Sequence, residues 1–147
     1  MTSDHRLLTG SWRSTIDPDR YVLIGISRSS PRGRSGYRRY PALMPGSWFR
    51  DPMSDEAWAA LYQDEVLARL APKNVLGDLM KLAGGRPAVL TCWEHEPPHV
   101  SWCHRALVSR WLQEQLGVEV PELGHEHLGC GCRHPKLPAS LLQRALK

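Results

Sequence analysis

The sequence predicts a single α/β domain with a mostly parallel sheet and helices on both faces of that sheet. Continuous apolar runs such as "YVLIGI" are typical of strands that are buried on both sides. These runs alternate with segments of helical periodicity, as right-handed crossover connections require. The length of 147 residues suits one compact core. We assign the α/β domain to residues 1–123 and a Cys/His-rich extension with a short helix to residues 124–147.

The first predicted elements are one strand and two helices. Residues 20–27, "RYVLIGIS", form a core strand, and a long polar loop rich in Ser, Gly, Pro and Arg follows it. A helix is predicted from Ser54, whose hydroxyl suits an N-cap, to the residue before Pro72. The second helix is predicted with Asn74 as its cap and Gly84 at its end.

The remaining elements surround the most reactive stretch of the chain. "RPAVLTC" predicts a second core strand that ends at Cys92, and "CHRALVSRWLQEQLG" predicts a third helix that stops at Gly117. "VEVPEL" is a third strand candidate, and Pro138 is expected to open a last short helix. Only the two tails are expected to be loose. Ligands of open α/β sheets bind beyond the carboxyl ends of the strands, so the functional edge is expected there.

The composition indicates an ordinary globular protein. Hydrophobic residues make up 41% of the chain and charged residues 23%, which argues against wholesale disorder. No apolar run approaches the roughly 20 residues that a membrane span needs, and the N-terminus lacks the apolar stretch of a secretory signal. We therefore expect a cytoplasmic protein without a membrane partner, whose four cysteines are thiols rather than disulfides.

Positive charge is concentrated near the N-terminus. Residues 1–50 contain nine arginines and three aspartates, and six of these arginines surround the polar loop: Arg28, Arg32, Arg34, Arg38, Arg39 and Arg50. Guanidinium groups bind phosphate and carboxylate groups in a bidentate manner, so a phosphate-bearing small molecule or a nucleic acid is a possible partner. The alternative is that arginine is simply the default cation of a chain with fifteen Arg and four Lys.

Residues 91–105, "TCWEHEPPHVSWCHR", combine the end of a strand with the start of the next helix. Cys92 is at the strand end, and Cys103, His104 and Arg105 fall in the first helical turn. A helix N-terminus favours a bound anion and lowers the pKa of a thiol. The middle of the stretch, residues 95–102, is expected to shape or cover the resulting pocket.

These residues predict an enzyme-like site. We assign Cys103 as nucleophile and His104 with Glu94 as acid and base partners, and Cys92 is a further catalytic candidate. The candidate ligand-binding residues are Arg105, Arg28 and Trp93. Structural alternatives are equally open: a buried cysteine often acts as a small hydrophobe, Arg105 could pair with Glu94 or Glu96, and His104 could satisfy a buried carbonyl.

Zinc is the candidate cofactor, and two sets of residues could bind it. One candidate set comprises Cys92, His95, His99, Cys103 and His104, but its spacing does not match a standard zinc finger. A denser set occurs in "HEHLGCGCRH": His125, His127, Cys130, Cys132 and His134.

The combination of "AVLTCWE", "WCHRALVSRWL" and "VEVPEL" resembles the prokaryotic family called domain of unknown function 488. Cys92, Trp93 and Glu94 match its strand-end element, the Cys-His-Arg sequence at residues 103–105 matches its helix start, and Glu122 matches its last element. "IGISRSSP" and the helix containing Tyr62 are similar to it more loosely, so the resemblance covers residues 21–123. The loop "HEPPHVSW" is longer and richer in histidine than is usual in the family, and the "CGC" tail is an addition.

The resemblance implies an α/β domain with an enzymatic Cys/His/Arg site, but it supplies no reaction. Three functions are therefore compared: an enzyme acting on a phosphate-bearing ligand, a zinc-stabilised binding module, and a nucleic-acid-binding domain that uses residues 28–50.

Overall fold

The centre of the domain is a four-stranded sheet. The computed structural model describes residues 5–142, and its strands are β1 (Leu7–Ser11), β2 (Val22–Gly25), β3 (Arg38–Arg39) and β4 (Ala88–Cys92). Their order across the sheet is β1-β4-β2-β3, and each neighbouring pair is parallel. The predicted α/β class with a parallel sheet is therefore confirmed.

The three longest helices of the described chain are α1 (Asp55–Glu65), α2 (Pro72–Ala83) and α3 (His104–Leu116). Five short 3-10 helices accompany them: Pro41–Leu43, Ser47–Arg50, Leu67–Arg69, Glu126–Leu128 and Gly131–Arg133. The Ser54 hydroxyl caps α1 by accepting a hydrogen bond from the Ala57 amide at 3.1 Å, as predicted. The prediction of Asn74 as the cap of α2 is wrong, because Pro72 already occupies the first turn, where its missing N–H costs nothing.

Gly84 and Gly117 end α2 and α3 as the sequence predicts. Both have left-handed backbone conformations, with φ of 60° and 69°. Their amide groups donate to carbonyls of the last helical turn, at Met80 and Gln113. Glycine is the residue that adopts this conformation at little cost, so these two positions determine where the helices stop.

The two faces of the sheet are covered differently. On one face, sheet residues such as Leu7, Ile24 and Leu90 share one apolar cluster with buried residues of all three α-helices. On the other face, Leu8 and Val89 pack in a cluster that side chains of the connecting loops complete. The expected coverage of both faces by helices is thus replaced by helices on one face and loops on the other, because the β1–β2 and β2–β3 connections contain no α-helix.

Three further expectations are corrected or lie partly outside the described residues. Residues 1–4 of the N-terminal tail, which is expected to be loose, lie outside the described residues, whereas the chain from Leu7 forms β1, every residue of which is buried. "VEVPEL" forms only an isolated parallel bridge, between Glu122 and Thr9. The helix expected after Pro138 lies mostly outside residues 5–142, and its described part is a turn. Within the described chain, no helix has the length and apolar character needed to cross a membrane.

Candidate active site

A pocket of about 580 Å³ lies at the carboxyl edge of the sheet. Its wall contains Ser27, Arg28 and Ser29, which follow β2, and Cys92, Trp93 and Glu94 at the end of β4, together with Cys103 and His104 at the start of α3. Parallel strands converge at this edge, which is where open α/β sheets bind ligands. Seven of the residues predicted for the site from the sequence therefore surround one space: Cys92, Trp93, Glu94, Cys103, His104, Arg28 and, in the shaping loop, Trp102.

Cys92 and Cys103 are joined by a disulfide bond. The expectation that both are free thiols is corrected, while Cys130 and Cys132 are free. Both bonded side chains are buried, because one ends a central strand and the other caps α3. Either sulfur can act as a nucleophile or a metal ligand only after this bond is reduced.

His104 presents one ring nitrogen to the sulfurs. Its Nε2 lies 2.9 Å from the carbonyl oxygen of Ile26. A carbonyl can only accept, so Nε2 carries the proton and Nδ1 keeps a lone pair, 3.9 Å from Cys103 Sγ. Burial lowers the pKa of His104 to about 4, and the charge of Arg105 acts in the same direction. The imidazole is therefore neutral at pH 7. Its Nε2 satisfies the buried Ile26 carbonyl, while the lone pair of Nδ1 remains available to accept a proton or bind a metal ion.

Two arginines meet at one aromatic ring of the pocket. The guanidinium carbons of Arg28 and Arg50 lie 5.1 and 5.0 Å from the ring centroid of Phe49. Arg28 also donates to the carbonyl of Pro45 at 3.0 Å. Neither guanidinium forms an ion pair within residues 5–142, although Glu94 and Asp55 also line the pocket. Both arginines therefore retain N–H donors for an anionic ligand.

Aromatic side chains form the remaining wall. The Trp58 ring stacks on Tyr62 with centroids 5.7 Å apart, and it meets the edge of Trp102 at 5.2 Å. The Trp93 indole N–H donates to Ser29, which connects the ends of β4 and β2. Trp93 lies in the lining as predicted. Trp58 also borders the pocket, which its helical spacing in the sequence could not show.

Arg105 is not available to a ligand, which corrects its predicted role. The side chain is completely buried, and it forms a bidentate ion pair with Glu122 at 2.9 and 2.7 Å. Its other N–H groups donate to the carbonyls of Glu94 and His95 and to Cys92 Sγ, so all five donors have acceptors. The partner is Glu122 and not Glu94 or Glu96, the two carboxylates considered from the sequence.

The ion pair belongs to a larger buried network, which we define as Arg105, Glu122, Thr9 and His134. The Thr9 hydroxyl donates to Glu122 Oε1 at 2.7 Å and accepts from His134 Nε2 at 2.7 Å. His134 Nδ1 accepts from the amide of Lys136, which leaves the proton on Nε2. Burial lowers the pKa of His134 to about 4, although the negative charge of Glu122 acts to raise it.

The C-terminal metal set is not assembled. His134 lies in the buried network, His125 contacts Glu96 at 2.7 Å, and Cys130 faces the Gln113 carbonyl at 3.5 Å. His127 is exposed and Cys132 is half-buried. Within residues 5–142, the group of three or more Cys, His or acidic side chains whose ligand atoms all lie within 4.8 Å of one another consists of Cys92, Cys103 and His104.

The loop between the two cysteines only partly covers the pocket. Its Trp102 lines the wall, but His95 and His99 stack on each other outside it, with centroids 4.6 Å apart. The Lys136 ammonium donates to the carbonyl of His99 at 2.8 Å and holds the loop against the C-terminal segment. Neither histidine belongs to the group formed by the two cysteines and His104.

No protein-family model, curated protein or solved structure matches this chain. Its function is therefore inferred from its own residues and their geometry.

Proposed function

We propose that this protein is an enzyme that binds a phosphate-bearing ligand, such as a nucleotide or a nucleic-acid-like molecule, in the pocket at the carboxyl edge of the sheet. One observation supports this proposal above all. The unpaired guanidinium groups of Arg28 and Arg50 share a pocket with Cys103 and His104. Cationic donors that fix an anion beside a nucleophile and a base are a recurrent arrangement for catalysis.

The chemistry starts from the reduced form of the cysteine pair. Two molecules of a small thiol such as glutathione convert the disulfide into two cysteine thiols and become a disulfide themselves. The Cys103 thiolate then attacks the phosphorus of a bound phosphate ester, and the bond from phosphorus to the leaving oxygen breaks. His104 Nδ1 relays the thiol proton to that leaving oxygen, and water hydrolyses the resulting cysteinyl phosphate. Glu94 lines the same space and is the second acid or base of the proposal. A cytoplasmic location is part of this proposal, because that compartment keeps thiols reduced.

Pyrophosphate binding tests the anion site directly. Calorimetric titration of the reduced protein is expected to give saturable binding that the double variant Arg28→Gln, Arg50→Gln weakens about 100-fold. Each charge-assisted hydrogen bond contributes at least roughly 1.5 kcal/mol, or about one decade of affinity. Bound pyrophosphate is also expected to slow alkylation of Cys103, measured by mass spectrometry of the Cys103 peptide.

The matched control removes the same charge elsewhere. Arg38 and Arg39 are exposed on β3 and do not line the pocket, so the double variant Arg38→Gln, Arg39→Gln should bind pyrophosphate within about threefold of the parent, since only screened long-range charge is lost. Equal losses in both double variants would show that general surface charge attracts the anion. That result, or full alkylation of Cys103 in saturating pyrophosphate, would overturn the proposal.

A further inference from the structure

Three soft or borderline metal ligands converge in the lining of the pocket. The two sulfurs of Cys92 and Cys103 and a ring nitrogen of His104 lie within 4.8 Å of one another, and all three residues are buried. They come from a strand end, a helix N-cap and the first helical residue, so rigid elements position each of them. Two thiolates and one imidazole are a ligand set that zinc accepts in catalytic sites, where a fourth position stays open.

The backbone spacing suits a bridging ion. The Cα atoms of Cys92 and Cys103 lie 7.5 Å apart, whereas a disulfide usually spans about 4.4–6.8 Å. Two Zn–S bonds of about 2.3 Å at a tetrahedral angle hold their sulfurs roughly 3.8 Å apart, which a wider backbone separation accommodates. The distance of 3.9 Å between Cys103 Sγ and His104 Nδ1 is close to the roughly 3.6 Å that tetrahedral zinc requires.

The surrounding hydrogen bonds are those that metal ligands need. The Ile26 carbonyl accepts from His104 Nε2 and thereby directs the unprotonated Nδ1 toward the sulfurs. Arg105 Nη1 donates to Cys92 Sγ at 3.3 Å, which stabilises the negative charge of a thiolate. Each contact comes from a buried group that is itself fixed by further bonds, so the ligand atoms are oriented before an ion arrives.

We propose that reduced Cys92 and Cys103 together with His104 Nδ1 bind one zinc ion, whose fourth coordination position opens into the pocket beside Glu94 and Arg28. Binding releases the two thiol protons, and an oxidant that reforms the disulfide removes two electrons from the sulfurs and ejects the ion. The inference shares the pocket of the proposed function but does not depend on anion binding. While the ion is bound, Cys103 Sγ and His104 Nδ1 are its ligands, so the nucleophilic step of the proposed function belongs to the reduced, metal-free form.

Cobalt and zinc titrations of the full chain test the site. Protein reduced with a phosphine is expected to bind one Co²⁺ per chain with near-ultraviolet thiolate-to-cobalt absorption, and Zn²⁺ should displace it. The wild-type disulfide form, which needs no substitution, should show no such absorption. Cys103→Ser and His104→Gln should each weaken Co²⁺ binding by at least tenfold, because each removes one direct ligand.

Two control variants separate this site from its alternatives. The double variant Cys130→Ser, Cys132→Ser should retain the full absorption and stoichiometry, and so should Arg28→Gln, Arg50→Gln. Unchanged absorption in Cys103→Ser, or its loss in the Cys130 and Cys132 double variant, would overturn the inference. Absence of the absorption in reduced wild-type protein would also overturn it, and the pyrophosphate titration would then show independently whether the proposed function survives.

Discussion

The pocket and the buried network use similar side chains in opposite ways. In the network, the guanidinium of Arg105 has an acceptor for each of its five donors, and Glu122, Thr9 and His134 complete a closed set of hydrogen bonds. In the pocket, Arg28 keeps donors without a carboxylate partner among the described residues. The same residue type thus supports the fold in one region and offers a ligand contact in the other.

Neighbours in the sequence belong to different regions. His104 and Arg105 are consecutive, yet the first lines the pocket and the second enters the buried network. Successive side chains of an α-helix point about 100° apart, so a dense run of reactive residues at a helix start is divided between two sides. Whether a polar group is functional depends on its unsatisfied atoms and not on its place in a motif.

The largest expected difference between the two regions concerns stability. Glu122→Gln leaves the Arg105 charge buried without its counter-ion, and we expect the free energy of unfolding to fall by about 3–5 kcal/mol. Glu94→Gln changes a carboxylate at the pocket wall and should alter that free energy by less than about 1 kcal/mol. Urea titration followed by circular dichroism measures both.

A double replacement keeps this comparison interpretable if Glu122→Gln does not fold. Arg105→Met with Glu122→Leu removes both charges, and replacing a whole buried pair by apolar residues is often close to neutral. We expect the double variant to be more stable than Glu122→Gln. Equal destabilisation by Glu122→Gln and Glu94→Gln would mean that the network does not differ from the pocket as described.

The strands and helices around the pocket were predictable because apolar runs and caps mark them locally. β2, β4, α1 and α3 follow from such signals. β1 was missed, since its Thr9 and Ser11 look unsuited to a buried strand until their hydrogen-bond partners are known. β3 consists of two exposed arginines and carries no apolar signal at all.

The sequence predicts those residues of the candidate site that are placed by their position at a strand end or a helix start. The rule that ligands bind at strand ends and helix starts identified the residues of the strand end and helix cap that line the pocket. It could not identify Glu122 as the partner of Arg105, because the pairing depends on how the segment after α3 returns beside β1. Phe49 was also missed, since its role depends on two arginines that are distant from one another in sequence.

The second difference between the regions is expected in the pH dependence of stability. Burial holds the pKa of His134 near 4 in the folded protein, while that of an unfolded chain is about 6.5. Between these values the unfolded chain binds a proton that the folded one excludes, so stability is fully present above pH 6.5 and falls as the pH drops toward 4. One such histidine contributes up to about 1.4 kcal/mol per pH unit.

Urea unfolding at several pH values between 4 and 7 checks this contribution. His134→Gln should reduce the slope of the free energy of unfolding against pH by up to about 1.4 kcal/mol per pH unit. This reduction is expected whatever effect the substitution has on stability at pH 7. His127→Gln is the matched control, because His127 is exposed and should leave the slope unchanged. The buried charges around His134 are Glu122, Arg105 and Lys136. An unaltered slope in His134→Gln would contradict the burial of a neutral imidazole in the network.

The smallest expected effect concerns the support of the pocket wall by Tyr62. Its buried hydroxyl donates to the Leu43 carbonyl at 2.6 Å, while its ring stacks on Trp58. Tyr62→Phe leaves that carbonyl without its donor and should cost about 1–2 kcal/mol in the free energy of unfolding. Tyr40→Phe removes an exposed hydrogen bond to Asp78 and should cost less than about 0.5 kcal/mol.

Ligand binding separates this structural role from a functional one. Because phenylalanine keeps the ring, the wall that Trp58 and Tyr62 form should persist, and reduced Tyr62→Phe should bind pyrophosphate as the parent does. Satisfied hydrogen bonds behind the pocket wall, like those of the buried network, would then hold in place the wall side chains that remain free to bind a ligand. A weakened pyrophosphate affinity with unchanged stability would instead make the Tyr62 hydroxyl a part of the ligand site, and the division between the two regions would have to be redrawn.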